Sequence, residues 1–249
     1  MVCIENFFIW KILHGAPLLA YPYDLPQDFP VNDKLDKERW VFISGNLVML
    51  NEIFHRPILG INNQTYGFCR DILQCVLQRS LGFQTRATRI THRIIKELLL
   101  DPSVDRVVII AHSQGGIITS QVLDTLYTEL RDLDLQKLEV YTFGNAALRF
   151  NNPRRVISHI EHYCNERDPA CSWGAMSSDN RADVRFDGRV FILQGRSGHL
   201  LNQHYLSRMF APHAARATEE FAKDRFSQPT RSLSRLHQYA GGNIPPRCC

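Results

Sequence analysis

Apolar positions along the chain fall into short continuous runs and longer stretches of helical period, and the two alternate. Arg39-Trp40-Val41-Phe42-Ile43-Ser44-Gly45 reads as a strand that ends in a turn, and residues 56–62 read as a second, around Ile58-Leu59-Gly60-Ile61. Between them Leu47, Leu50, Ile53 and Phe54 recur at the spacing of one helix face. Ile72, Leu73, Val76 and Leu77 mark a helix within residues 66–78, and another covers about 85–100. That helix must stop at Asp101-Pro102, because proline disfavours helix in the residue before it. Val107-Val108-Ile109-Ile110-Ala111 is a buried-type strand, followed by a helix through Ile117, Ile118, Val122, Leu123, Leu126 and Leu130. Three more strands are predicted at residues 138–144, 157–164 and 190–193, with helices at about 200–210 and 214–226.

Strands alternating with helices predict an α/β fold, a mostly parallel central sheet covered on both faces by helices. Residues 1–30, rich in Pro and Asp toward their end, read as an N-terminal arm that packs on the domain. The domain then covers 31–226, and the polar, Pro- and Gly-containing stretch 227–249 reads as a flexible tail.

The chemistry concentrates where the run at Val107 ends. Ala111-His112-Ser113-Gln114-Gly115 is a small-x-Ser-x-Gly turn between a strand and a helix. A sharp turn of that kind lifts a serine hydroxyl out of the backbone, and its small residues avoid collisions with neighbouring elements. Serine is a poor nucleophile until a histidine takes its proton and an acid fixes the imidazole tautomer. Both should follow the serine, in loops past strand ends, acid first. Asp168, in Asn165-Glu166-Arg167-Asp168-Pro169, is the acid candidate, with Glu166 its competitor. His199, in a loop after Gly198, is the base candidate. His204 is the alternative base, tied to the helix that follows, and His112 reads as a packing residue beside the nucleophile. The N–H of Gln114 should supply one donor to a substrate oxyanion, and the loop at Gly45 or Asn46 the other.

Composition narrows the alternatives. The 249 residues are 44% hydrophobic and 22% charged, with a formal net charge of +4, enough apolar residues for one sizeable core. The basic residues form no stripe with aromatics between them, which argues against a nucleic-acid partner. Seven cysteines show no regular spacing, so they predict neither a disulfide framework nor a zinc site, but thiols in a reducing, cytoplasmic compartment. No apolar run is long enough to span a bilayer, although Phe7-Phe8-Ile9-Trp10, or lipid on Cys248 or Cys249, leaves peripheral membrane contact open. The chemistry needs no metal and no organic cofactor. Nothing in the sequence fixes an oligomeric state.

Taken together, Ala111-His112-Ser113-Gln114-Gly115-Gly116, Tyr141-Thr142-Phe143-Gly144, His162-Tyr163-Cys164-Asn165 with Asp168, and Gly198-His199-Leu200-Leu201-Asn202-Gln203-His204-Tyr205 resemble a fungal group of lipase-like serine α/β-hydrolases. The Thr-Phe-Gly strand and the Asn-x-x-Asp acid are also similar to those of class 3 lipases. The resemblance covers about residues 25–212. It implies the α/β-hydrolase fold and Ser113, Asp168 and His199 as nucleophile, acid and base, but no particular substrate; the elbow and the order of the three residues predict cleavage of a small lipophilic carboxylic ester through an acyl-serine. One departure stands out. Such proteins usually carry a longer, Trp-containing loop after the first strand, whereas Ile43-Ser44-Gly45-Asn46 passes almost directly into Leu47-Val48-Met49. That shortening motivates an alternative: a hydrolase-fold protein that binds without turnover, a biosynthetic accessory, or an acyltransferase.

Overall fold

The computed structural model describes residues 20–23, 37–43, 47–61, 75–80, 82–176, 186–210 and 234–246. Their centre is a seven-stranded sheet in the order β1-β3-β2-β4-β5-β6-β7. The strands are β1 (Ala20–Tyr23), β2 (Glu38–Ile43), β3 (Ile58–Ile61), β4 (Arg106–His112), β5 (Leu138–Phe143), β6 (His159–Arg167) and β7 (Arg189–Ser197). β1 runs antiparallel to β3, and every other neighbour is parallel. An antiparallel edge, a crossed-over pair at β3 and β2, and a sharp strand-to-helix turn after the next strand make this the α/β-hydrolase fold.

The unbroken apolar run of β4 has a direct cause. Side chains alternate between the two faces of a strand, and both faces here are covered. Val107, Ile109 and Ala111 pack with Val41, Ile43 and Val140 under α2 (Arg86–Leu100) and α3 (Gln114–Glu129). Val108 and Ile110 face the other way, against Trp40, Phe42, Tyr141 and Phe143. That second layer is closed by α1 (Val48–Phe54), a π-helical turn at Leu201–Leu206, and Leu236 with Tyr239. Helix α2 starts where Thr85 accepts the Thr88 N–H, a cap worth about 1 kcal/mol, and its Ala87, Thr91, Ile95 and Leu99 form the buried stripe. The predicted strands and helices within the described residues are present, with ends shifted by a few positions. The predicted helix at 214–226 and most of that at 66–78 lie outside them; residues 75–80 are helical.

Two boundaries need correction. Ala20–Tyr23, placed in the arm at 1–30, pairs with β3 and belongs to the sheet. Residues 234–246, placed in the flexible tail, are packed into the fold, with Leu236 and Tyr239 both 0% exposed. The remaining tail residues lie outside the described ones. The segment is held by charge. It runs past the amino-terminal parts of β2, β4, β5 and β6, which carry Glu38, Arg106, Glu139 and Glu161. Arg235 bonds Glu139 at 2.9 Å, Tyr239 donates to the same carboxylate at 2.8 Å, and the backbone N–H groups of Arg235 and Leu236 donate to Glu161. Arg56 and Arg106, both ion-paired to Glu38, reach the carbonyls of Asn243 and Pro245. Burial pushes Glu139 up, but Arg235, the Tyr141 hydroxyl and Arg106 together outweigh it and leave the carboxyl below its ordinary value. Glu161 accepts from uncharged donors instead, and there burial wins and raises it.

His162 illustrates a buried base. Its Nε2–H donates to the Asp187 carbonyl at 3.0 Å and its Nδ1 accepts from the Thr142 hydroxyl at 2.7 Å, which satisfies the neutral ring. Burial lowers its pKa to about 4. The unfolded chain binds that proton near pH 6.5, so between about 6.5 and 4 the unfolded state holds more protons than the folded one. Stability is then fully present above about pH 6.5 and falls as pH drops toward 4, by up to about 3 kcal/mol from this residue. Urea unfolding from pH 7 to pH 4.5 should show the decline, and His162→Gln should shallow the slope.

Candidate active site

Ser113 occupies the turn between β4 and α3 with φ 58° and ψ −120°, a left-handed conformation that costs a non-glycine residue roughly 1–3 kcal/mol. Three features hold it there. The Ser113 N–H donates to the Phe143 carbonyl at 2.9 Å. A Cβ on Gly115 would stand 2.2 Å from the Ile43 carbonyl oxygen, and one on Gly116 2.1 Å from Asn145 Oδ1. Helix α3 thus approaches its neighbours at distances only glycine permits, and the hydroxyl is left half-buried at the carboxyl edge of the sheet.

The loops after β6 and β7 come back to this hydroxyl. His199 Nε2 lies 2.7 Å from Ser113 Oγ, and His199 Nδ1 lies 2.9 Å from both carboxylate oxygens of Asp168. The geometry therefore joins Ser113, His199 and Asp168 in one hydrogen-bonded chain. Asp168 is 0% exposed and caps α5 (Pro169–Trp173), the helix that follows the short α4 (Asp132–Leu135), accepting the Ala170 N–H at 2.9 Å. Burial tends to raise its pKa. Its hydrogen bond and charge interaction with His199, then the Tyr205 hydroxyl and the Ala170 N–H, outweigh that and hold the carboxyl below its ordinary value.

The competing candidates are elsewhere. A register irregularity in β6 between Asn165 and Arg167 leaves Glu166 exposed, where it accepts the Gly195 N–H. His204 accepts the Leu200 N–H at 2.9 Å inside its own turn and makes no contact with Ser113. His112 packs its ring on that of His199, centroids 4.7 Å apart, and its Nε2–H donates to the His199 carbonyl at 2.7 Å. Burial, and then the charge of His199, lower the His112 pKa to about 4, so a neutral ring packs on His199.

Gln114 opens α3, so its N–H belongs to the first turn at the positive end of the helix dipole. Its side chain turns away and donates to Gln78 Oε1 at 2.6 Å. Gly45 and Asn46 lie outside the described residues. Among the described residues no cluster of His, Cys, Asp and Glu could hold a metal ion, and no helix is long and apolar enough to cross a membrane.

Two contributors went unassigned in the sequence. Tyr205 donates its hydroxyl to Asp168, and Asn165 Nδ2 donates to the carbonyl of Gly198 at 2.9 Å, tying the strand that leads to Asp168 to the loop that carries His199. Gly144, with φ 55°, ends β5 where a Cβ would lie 2.9 Å from Asp168 Oδ2 and 3.0 Å from His199 Nδ1.

The chain has the α/β-hydrolase fold, with Ser113, His199 and Asp168 hydrogen-bonded in a row at the turn after β4. No family model and no curated protein matches the chain. Among solved structures, the chain is similar to the triacylglyceride lipase of Rhizomucor miehei, at 18% identity over 50% of this chain and 44% of that one, with a TM-score of 0.30. It is also similar to the cutinase of Trichoderma reesei, solved with a phosphonate inhibitor, at 15% identity over 57% of this chain and 70% of that one, with a TM-score of 0.35. The chain thus spans less than half the length of the lipase. Both likenesses are partial, and the fold assignment stands on the strand order and the elbow.

Proposed function

We propose that the protein is a serine hydrolase that cleaves a carboxylic ester of a lipophilic substrate through an acyl-serine intermediate. The observation that carries the reading is the unbroken chain from the half-buried Ser113 hydroxyl through His199 to the fully buried Asp168. His199 Nε2 takes the hydroxyl proton as Oγ adds to the ester carbonyl. The negative oxygen so formed faces the Gln114 N–H and the amino end of α3, an electrostatic contribution commonly worth about 3 kcal/mol per donor. Collapse expels the alcohol, protonated by the imidazolium. Water then adds to the acyl-serine with the same histidine as base, and Ser113 is released with a carboxylic acid. Asp168 keeps the proton on Nδ1, so that Nε2 is the basic nitrogen. The lipophilic half of the reading rests on exposed apolar residues that follow the site residues in the chain: Trp173 on the helix that Asp168 caps, and Leu200 directly after His199.

A fluorophosphonate probe should label Ser113 covalently, and p-nitrophenyl esters of increasing acyl length should be hydrolysed in a length-dependent way. A protein that takes no label and turns over no ester is the binding or accessory protein instead, a reading favoured by the short link 44–47 between β2 and α1. Transfer of the acyl group to an added alcohol or amine would mark an acyltransferase.

Gly144→Ala tests the tightness of the site. The new methyl would press on both Asp168 and His199, and displacements of about 1 Å at reacting groups can cost roughly 100-fold in rate. We expect kcat to fall by about that factor, with the urea midpoint lowered only modestly.

A further inference from the structure

Asp168 is a fully buried carboxylate whose ion-pair partner among the described residues is His199, with no Lys or Arg against it. Such a group stays ionised only if hydrogen bonds replace the water it has lost. Three donors converge on it: the Ala170 N–H at Oδ1, the His199 Nδ1–H shared between both oxygens, and the Tyr205 hydroxyl at Oδ2. The direction of the Tyr205 bond is fixed by its other contacts. The Asn165 backbone N–H points at the phenol oxygen at 3.2 Å and can only donate, so the phenol must spend its own proton elsewhere. The choices are Asp168 and, at 3.6 Å, the Cys171 sulfur, a much weaker acceptor.

The local fold makes this reach possible. Tyr205 is 0% exposed and sits in the π-helical turn Leu201–Leu206, which begins two residues after His199. A π-helical turn holds one more residue than an α-turn, an arrangement often found at functional sites. Here the base precedes the turn and the acid's hydrogen-bond donor is carried inside it, so a single segment supplies partners to both sides of Asp168. The ring is wedged edge-on against Phe143, with centroids 5.8 Å apart, which fixes its orientation.

We infer that Tyr205 is a positioning residue for the hydrolysis proposed above: by donating its hydroxyl to Asp168 Oδ2 it keeps the acid ionised and aligned on His199. The inference rests on that functional reading. Burial and the neighbouring Cys171 and Asp168 raise the phenol well above its ordinary pKa, so it stays a donor across the working range. Its action is exerted through Asp168, not on the substrate.

The test compares wild type, Tyr205→Phe, Asp168→Asn and the double variant on a p-nitrophenyl ester from pH 4 to 9, after fluorophosphonate labelling of wild type. Removing one of three donors makes Asp168 easier to protonate. The acid limb of kcat/KM in Tyr205→Phe should therefore move to higher pH, and kcat should fall roughly tenfold with KM little changed. In the Asp168→Asn background Tyr205→Phe should cost no further activity, because the acceptor it serves has lost its charge. The Asn165 N–H loses an acceptor in Tyr205→Phe, so 3-fluorotyrosine introduced at position 205 supplies a variant with the same contacts. It is a stronger donor and should shift the acid limb the opposite way, to lower pH. A labelled, active wild type whose acid limb moves in neither variant, or an undiminished Tyr205→Phe loss in the Asp168→Asn background, overturns the role of Tyr205 alone. An unlabelled, inactive wild type overturns the hydrolase reading and this inference with it.

Discussion

Ser113→Ala is expected to abolish fluorophosphonate labelling and to lower kcat by about 10⁵- to 10⁶-fold, with the melting temperature nearly unchanged. The size follows from how the three groups act. When a nucleophile and its base work as one unit, removing either costs almost as much as removing both. His199→Ala should therefore show a loss of similar size, and the double variant little more. Stability should hold because the side chain is half-buried and its hydroxyl, among the described residues, bonds the partly exposed imidazole of His199 alone. Alanine keeps the same φ of 58°, so the strain at the elbow is neither relieved nor increased. Persisting label or turnover in Ser113→Ala would move the chemistry to another residue and strip Ser113 of its role as nucleophile.

Glu139→Gln should destabilise the protein by about 3–5 kcal/mol, read as a lower urea midpoint at unchanged slope. Glu139 is met by the guanidiniums of Arg106 and Arg235 and by the hydroxyls of Tyr141 and Tyr239, all donors. An amide in its place removes the charge that two buried cations face and turns a donor of its own toward donors. Three carboxylates, Glu38, Glu139 and Glu161, sit among three guanidiniums, Arg56, Arg106 and Arg235, all six nearly inaccessible to water. Losing one member leaves a net charge where its hydration cannot be restored. The solvent-facing pair of Lys96 and Glu129 is the control, and Lys96→Ala should cost less than about 1 kcal/mol. Equal effects from the two changes would mean that the buried cluster is hydrated after all.

Much of the centre was legible because its signals are local. Val107 to Ala111 had to be a strand covered on both faces, and the turn residues after it left few conformations for Ser113. The order of acid and base along the chain picked out the loops at Asp168 and His199. It favoured Asp168 over Glu166, but what turns Glu166 away, an irregularity in the pairing of β6 with β7, is not written in the sequence. Tyr205 was invisible for a related reason: ordinary helical periodicity assigns faces by 3.6 residues per turn, and this stretch is wound more widely. The segment 234–246 misled by composition. Its Ser, Arg, His and Gln look like residues for water, yet Arg235 meets Glu139 at a separation of 96 residues, and Pro245 meets Arg106 at 139. A polar residue buried by a distant partner reads the same in sequence as one that is solvated.

The seat of that segment bears on how the protein is made. Synthesis proceeds from the amino end, and the strands that hold the buried charges are complete by Arg167. Until residues 234–245 have left the ribosome, Glu139 lacks Arg235 and Tyr239 and Glu161 lacks the N–H groups of Arg235 and Leu236, so the sheet can form early with the buried charges only partly answered. A nascent chain stalled just short of Ser234 should be digested readily by protease, and one released beyond Pro245 should resist.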